Sequence, residues 1–194
     1  MPKIVDHDLQ RVRFAEAAIR LVARDGFEGL TMRAVAAEAG LSYGSLFHYF
    51  ESKDELLIEA VRHLTGQQTR RVNAHSSRYR GLKALKKLLL DDVLVGEGDR
   101  DDAVVWLAFL YRAALQDRFG SMYGELIDGW LERISGLLRD ARDTGEVDAG
   151  LDDEFEARAL WAFSAGLGQQ ALLHPKLYPL ALQKKLIAAY LARL

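Results

Sequence analysis

The chain has 194 residues, 49% of them hydrophobic, and its 26 Lys and Arg against 28 Asp and Glu leave a net charge of -2. This is long for one small module and apolar enough to bury a core, so a small unit fused to a larger helical one is expected. Cysteine is absent, which excludes a disulfide scaffold, a thiolate zinc site and a cysteine nucleophile, and agrees with a reducing compartment.

The first ten residues mix Lys3, Asp6, His7 and Asp8 and hold no signal-peptide core. The most apolar run, Ala103 to Tyr111, falls well short of the roughly 20 residues of a membrane-spanning helix. A cytoplasmic protein without a membrane span is expected. The small net charge hides an asymmetry: residues 1–80 carry 12 Lys and Arg against 10 Asp and Glu, and residues 81–194 carry 14 against 18. An acidic C-terminal part can thus mask a nucleic-acid-binding end.

Apolar residues recur at three and four rather than two, and only three prolines interrupt the chain, which predicts an all-α fold. A first helix is expected from Asp8 to Asp25, with Val12, Ala15, Ile19 and Val22 on its apolar face and Gly26 ending it. Thr31 caps a short helix, Met32 to Ala39, which Gly40 terminates by permitting a left-handed turn. Ser42 caps a second short helix with Leu46 and Phe50 on its inner side. Ser52 opens a long one, where Glu55 completes a capping box ahead of Leu56, Leu57, Ala60, Val61 and Leu64. Further helices are expected at Leu82 to Val95, Asp101 to Arg118, Ser121 to Asp143, Asp152 to Leu173 and Leu180 to Arg193, with breaks at 96–98, Gly120, 145–150 and 174–179.

The stretch Thr31 to Glu55 has the parts of a helix-turn-helix: two short helices, a tight turn containing Gly, and a small residue where the second helix packs, supplied by Ala36, Gly40 and Leu41. With Leu46, Tyr49 and Phe50 inward, Tyr43, Gly44, Phe47 and His48 point out. That face lacks Lys and Glu, unlike an ordinary solvated surface, and suits a helix pressed into a DNA groove, with Ser42 and backbone N–H groups meeting phosphate. A hydrophobic dock for another protein segment is the alternative, as is a helical enzyme or carrier that keeps the helix-turn-helix only as a structural unit.

The run Phe27 to Leu57, FEGLTMRAVAAEAGLSYGSLFHYFESKDELL, closely resembles the DNA-binding signature of TetR-family regulators. The resemblance covers about the first 60 residues. The remainder is similar to the family in helix count and lengths, with a faint likeness to the betaine-pathway repressor group. It implies a three-helix DNA-binding domain over 1–52, joined by a long helix to a ligand-binding and dimerisation domain over 53–194. It also implies a homodimer on a palindromic double-stranded operator, repression released by a small-molecule effector, and no cofactor. Base or phosphate contacts are implied for Ser42, Tyr43, Gly44, Ser45, Phe47, His48 and Tyr49, and phosphate contacts for Thr31, Arg33 and Lys53. Two positions depart from the common pattern: Tyr43 stands where Lys is frequent, and Phe47 where Tyr is usual, so a phenolic hydroxyl is missing.

In the C-terminal part, Ala103 to Leu115 is apolar on every side except Arg112, the pattern of a helix buried all round or lining a cavity. Trp106, Phe109, Leu110, Trp130 and Trp161 are candidate walls of an apolar effector pocket, plain core packing being the alternative for each. Arg112 needs either a ligand anion or an internal carboxylate such as Asp128 or Glu132. The last two helices are the expected dimer surface, with Gly166 and Gly168 allowing close approach and Ile187, Tyr190, Leu191 and Leu194 facing the partner, opposite Leu182, Leu186 and Ala189. No HExxH, P-loop or GxGxxG occurs, and Asp99, Asp101 and Asp102 lack the spacing of an EF-hand loop, so no metal site or catalytic constellation is expected.

Overall fold

The computed structural model describes residues 7–76, 79–92, 96 and 100–194, with the backbone alone at 71–76 and 92. Among these residues the chain forms nine helices and no strand, as the apolar spacing predicts: α1 (His7–Gly29), α2 (Met32–Ala39), α3 (Tyr43–Phe47), α4 (Lys53–Ser76), α5 (Gly81–Asp92), α6 (Arg100–Ala113), α7 (Asp117–Asp143), α8 (Asp153–Leu173) and α9 (Leu180–Leu191). The expected end of α5 at Val95, the break at 96–98 apart from Gly96, and Asp99 lie outside the described residues. No helix among the described residues is long and apolar enough to cross a membrane.

Packing divides the chain into two compact units, Met1–Gln67 with Arg100–Phe119, and Gln68–Asp99 with Gly120–Leu194. The first unit reaches beyond residue 52 because α6 packs against α1.

In the first unit α1 lies against both α2 and α6. It therefore buries a broader face than a single apolar stripe: Phe14, Ala15, Ala17, Ala18, Leu21 and Val22 are buried, while Val12 and Ile19 of the expected stripe are half-buried. Three small alanines let the neighbouring helices come close. The fully buried Phe14 meets Phe50 edge-on at 6.0 Å, and truncating such a ring costs about 3 to 5 kcal/mol. Gly26 leaves the helical region at φ 71° and ends the regular part of α1 where the sequence predicts, a short further turn following it.

The break between α6 and α7 differs from expectation. The chain turns at residues 114–116, and Gly120 stays inside α7. A glycine within a helix costs only about 1 kcal/mol, and here Asp117 sits in the first turn, where a carboxylate favours a helix N-terminus. Phe119 is meanwhile fully buried, 5.9 Å from Phe109. Helix α6 is not buried all round: Val105 and Phe109 are buried but Tyr111 is exposed, and Leu115, in the turn that follows, is exposed too.

In the second unit one core joins Leu85, Leu88 and Leu89 of α5, Ile134 and Leu138 of α7, Ala157, Leu160 and Leu167 of α8, and Ile187 and Leu191 of α9. Loop geometry supports it from both ends. Asp152 Oδ1 accepts from the N–H groups of Glu154 and Phe155, capping α8, and Glu146 Oε2 accepts from the N–H of Leu82 at the start of α5, 2.9 Å away. The buried Gln183 side chain donates to the carbonyl of Tyr178, fixing the turn before α9.

Candidate nucleic-acid interface

The two short helices form as their caps require. Thr31 Oγ1 accepts from Ala34 N–H at 3.2 Å, and Ser42 Oγ accepts from Ser45 N–H at 3.0 Å. Each hydroxyl keeps its own proton free to donate outward. Gly40 ends α2 at φ 64°, a left-handed conformation that costs a glycine little, and its N–H and that of Leu41 satisfy the carbonyls of Ala37 and Ala36. Arg13 of α1 donates to the carbonyl of Ala39, tying the turn to α1. On α1 and α2, Glu38 is held below the usual carboxylate range, chiefly by its hydrogen bond from Arg20 and also by Arg24.

With Leu46 and Phe50 buried, the outward surface of this segment is Ser42, Tyr43, Gly44, Phe47 and His48, all exposed. A Cβ added at Gly44 would meet no atom within 4 Å, and its φ is not positive. The fold does not require glycine there. Tyr43 and Phe47 stand edge-on with centroids 4.9 Å apart, and the Arg33 guanidinium lies 5.7 Å from the Tyr43 ring.

Ser45 and Tyr49 face the other way. Gln10 Oε1, on α1, accepts from the Ser45 hydroxyl at 3.2 Å and from the Tyr49 phenol at 3.0 Å. The phenol oxygen also lies 2.9 Å from His7 Nδ1; with the phenol proton given to Gln10, His7 carries the hydrogen of that pair. The Tyr49 ring packs near Phe14 and Phe50. Gln10 and His7 were not legible in the sequence, since polar residues in a first helical turn carry no periodic signal.

Lys53 opens α4, with its ammonium 4.4 Å from the centre of the Phe27 ring and 3.9 Å from the Glu28 carboxylate. The capping box at Ser52 is displaced by one residue: Glu55 N–H donates to Ser52 Oγ, but the Glu55 carboxylate accepts from Glu51 N–H at 2.8 Å rather than from Ser52. That bond, aided by Arg118 at 3.2 Å, holds the Glu55 carboxyl below its ordinary range. Arg112 takes an internal carboxylate, and the partner is Asp54 at 2.9 Å, not Asp128 or Glu132; its guanidinium also covers the Phe27 ring at 4.1 Å. The Phe27 ring thus contacts two cations, each contact contributing about 0.5 to 2 kcal/mol.

Of the other expected effector residues, Trp106, Phe109 and Leu110 belong to the first unit, where Phe109 is fully buried against Trp106 and Phe119. Trp130 and Trp161 belong to the second and stack at 6.3 Å, both half-buried. The expected dimer face of α9 requires correction at Ile187 and Leu191. Ile187 and Leu191 are buried in their own subunit's core, Leu194 packs against that core, and Tyr190 packs on Phe163 and donates to Glu156 at 2.6 Å. Burial drives the Tyr190 phenol up to about 12, helped by Glu156. Both sides of α9 are apolar, so periodicity alone gives no preference between them. Gly166 and Gly168 also part company: two residues turn a helix by about 200°, and Gly166 is exposed while Gly168 is half-buried.

Comparison with known proteins agrees with this geometry. The profile of bacterial regulatory proteins of the tetR family matches residues 15–60, and that of the C-terminal part of BetI-type transcriptional repressors matches residues 82–194. The HTH-type transcriptional regulator PksA of Bacillus subtilis is 34% identical over 177 residues, covering 90% of this chain and 84% of its own. Among solved structures, a transcriptional regulator from Saccharomonospora viridis in complex with choline is similar with a TM-score of 0.86 at 25% identity, over 95% of this chain and 96% of that one. The regulator FadR from Bacillus subtilis in complex with stearoyl-CoA shares the fold with a TM-score of 0.80 at 20% identity, over 93% and 96% of the two chains. With the helix-turn-helix and the C-terminal helices both matched, the chain belongs to the TetR family of transcriptional regulators.

Proposed function

We propose that this regulator acts in the cytoplasm as a homodimeric repressor, in which the domain 1–52 of each subunit presents α3 to one half-site of a palindromic operator and the domain 53–194 binds a small-molecule effector and the second subunit. The observation that carries the DNA reading is the outward face of α3: exposed, uncharged, and holding a glycine that the fold does not need. A helix pressed into a major groove has use for all three properties, because its backbone must come close and its side chains meet base edges. Thr31, Ser42, Arg33 and Lys53 surround this face as donors for phosphate, and half-sites lie about one helical turn or a little more apart.

The dimer reading rests on α8, whose exposed side carries Phe155, Ala162, Ala165, Gly166 and Leu173. Small residues beside exposed large apolar ones suit close packing of two helices against their two-fold mates. For the effector, solved relatives hold choline in one case and stearoyl-CoA in another. In this chain Trp106, Trp130 and Trp161 keep partial exposure and offer aromatic surface to a ligand. Release follows if the effector binds a subunit arrangement that does not match the operator spacing better than one that does.

The test is selection of duplexes from random DNA with the full-length protein, followed by titration at several salt concentrations. The expected outcome is a palindrome bound by two subunits, with affinity falling as salt rises. Absence of any sequence preference over random DNA would reject the reading.

A further inference from the structure

We infer that Phe47 and Tyr43 form an aromatic pair that reads thymine 5-methyl groups, so that each operator half-site carries a thymine facing this pair. The inference rests on the reading of α3 as the helix that enters the groove, and names what it reads there.

Three observations lead to it. First, two hydroxyls of this segment are turned away from the outward side: those of Ser45 and Tyr49 are both given to Gln10. Second, beside Ser42 and His48 the outward side holds two large rings. Phe47 has no donor or acceptor, yet it is 48% exposed, and Tyr43 is 45% exposed. Third, the pair is held in position rather than free. The Tyr43 ring meets Phe47 at 87°, and Arg33 lies over Tyr43 from α2. A phenyl ring cannot bond a phosphate or read a base by hydrogen bonds. On the floor of the major groove the thymine 5-methyl is the one apolar group among the base edges, and covering it removes apolar surface of both partners from water. Gly44 beside the pair leaves open space, so nothing on α3 holds the rings away from the bases.

The experiment replaces each thymine of the selected operator, one at a time, by deoxyuridine, which lacks only the 5-methyl group and keeps every hydrogen-bonding atom. At one or two positions per half-site the full-length protein should bind the deoxyuridine duplex about three- to tenfold more weakly. Phe47→Ala should bind thymine and deoxyuridine duplexes equally at such a position, with an unchanged melting temperature showing that it is folded. Phe47→Leu, which keeps an apolar surface, should retain part of the discrimination. Equal binding of all substituted operators by the unaltered protein overturns the inference while leaving α3 as the DNA-binding helix. A Phe47→Ala protein that still discriminates fully overturns it as well. If selection yields no preferred duplex, the DNA reading itself falls, and the methyl readout with it.

Discussion

Gly44→Ala should move stability and DNA binding in opposite directions. The added methyl meets no atom within 4 Å and the backbone is not in the left-handed region, so the folded state accepts it without strain. Alanine also has less backbone freedom to lose on folding, a difference of about 0.5 to 1 kcal/mol in a helix interior. Gly44 lies in the first turn of the five-residue α3, which puts the gain near the lower end, roughly 0.5 kcal/mol. For a chain of this size that raises the melting temperature by about 1 to 2 °C. On the DNA the same methyl stands between Tyr43 and His48, where the backbone of α3 is to approach the bases. Holding the helix off by about the thickness of a methyl group would weaken contacts on both sides of it, an expected loss of tenfold or more, about 1.4 kcal/mol. Calorimetric melting and fluorescence-anisotropy titration of the selected operator measure the two effects separately. A variant that melts higher and binds as tightly as the parent would show that no close approach occurs at position 44. One that melts lower would mean that the space above Gly44 is not open.

Three further outcomes are expected. Gly166→Arg places a long cation on the exposed small-residue side of α8; sedimentation should show a monomer at low micromolar concentration, with operator affinity reduced, and a variant that stays dimeric would move the interface elsewhere. Tyr190 titrates at about 12 in the folded protein against about 10 unfolded, so its contribution is fully present below pH 10 and is lost as the pH climbs from 10 to 12; Tyr190→Phe should remove that part of the alkaline unfolding curve, and an unaltered curve would show that the phenol does not contribute. Glu146→Ala deprives the start of α5 of its acceptor and should cost about 1 kcal/mol, a drop of some 2 to 4 °C in melting temperature; unchanged melting would mean that water replaces the carboxylate without loss.

What the residues alone determined is whatever depends on neighbours three or four places away. The caps at Thr31 and Ser42, the left-handed Gly40 and the inward pair Leu46 and Phe50 were all readable, because a helix end is satisfied within its own first turn. The ordered run from Phe27 to Leu57 carried the family for the same reason. The tertiary structure decided what depends on distant partners. Arg112 announces a need for a carboxylate but not that Asp54, 58 residues away, supplies it. Gln10 gathers Ser45 and Tyr49 across 35 and 39 residues, and Glu146 caps a helix 64 residues earlier. On α9 two apolar faces were equally legible, and only packing against α5 and α8 selected the one with Ile187 and Leu191 for the core. Hydrophobic periodicity records that a face avoids water; which surface covers it is set by where the chain returns, and that is a property of the folded whole.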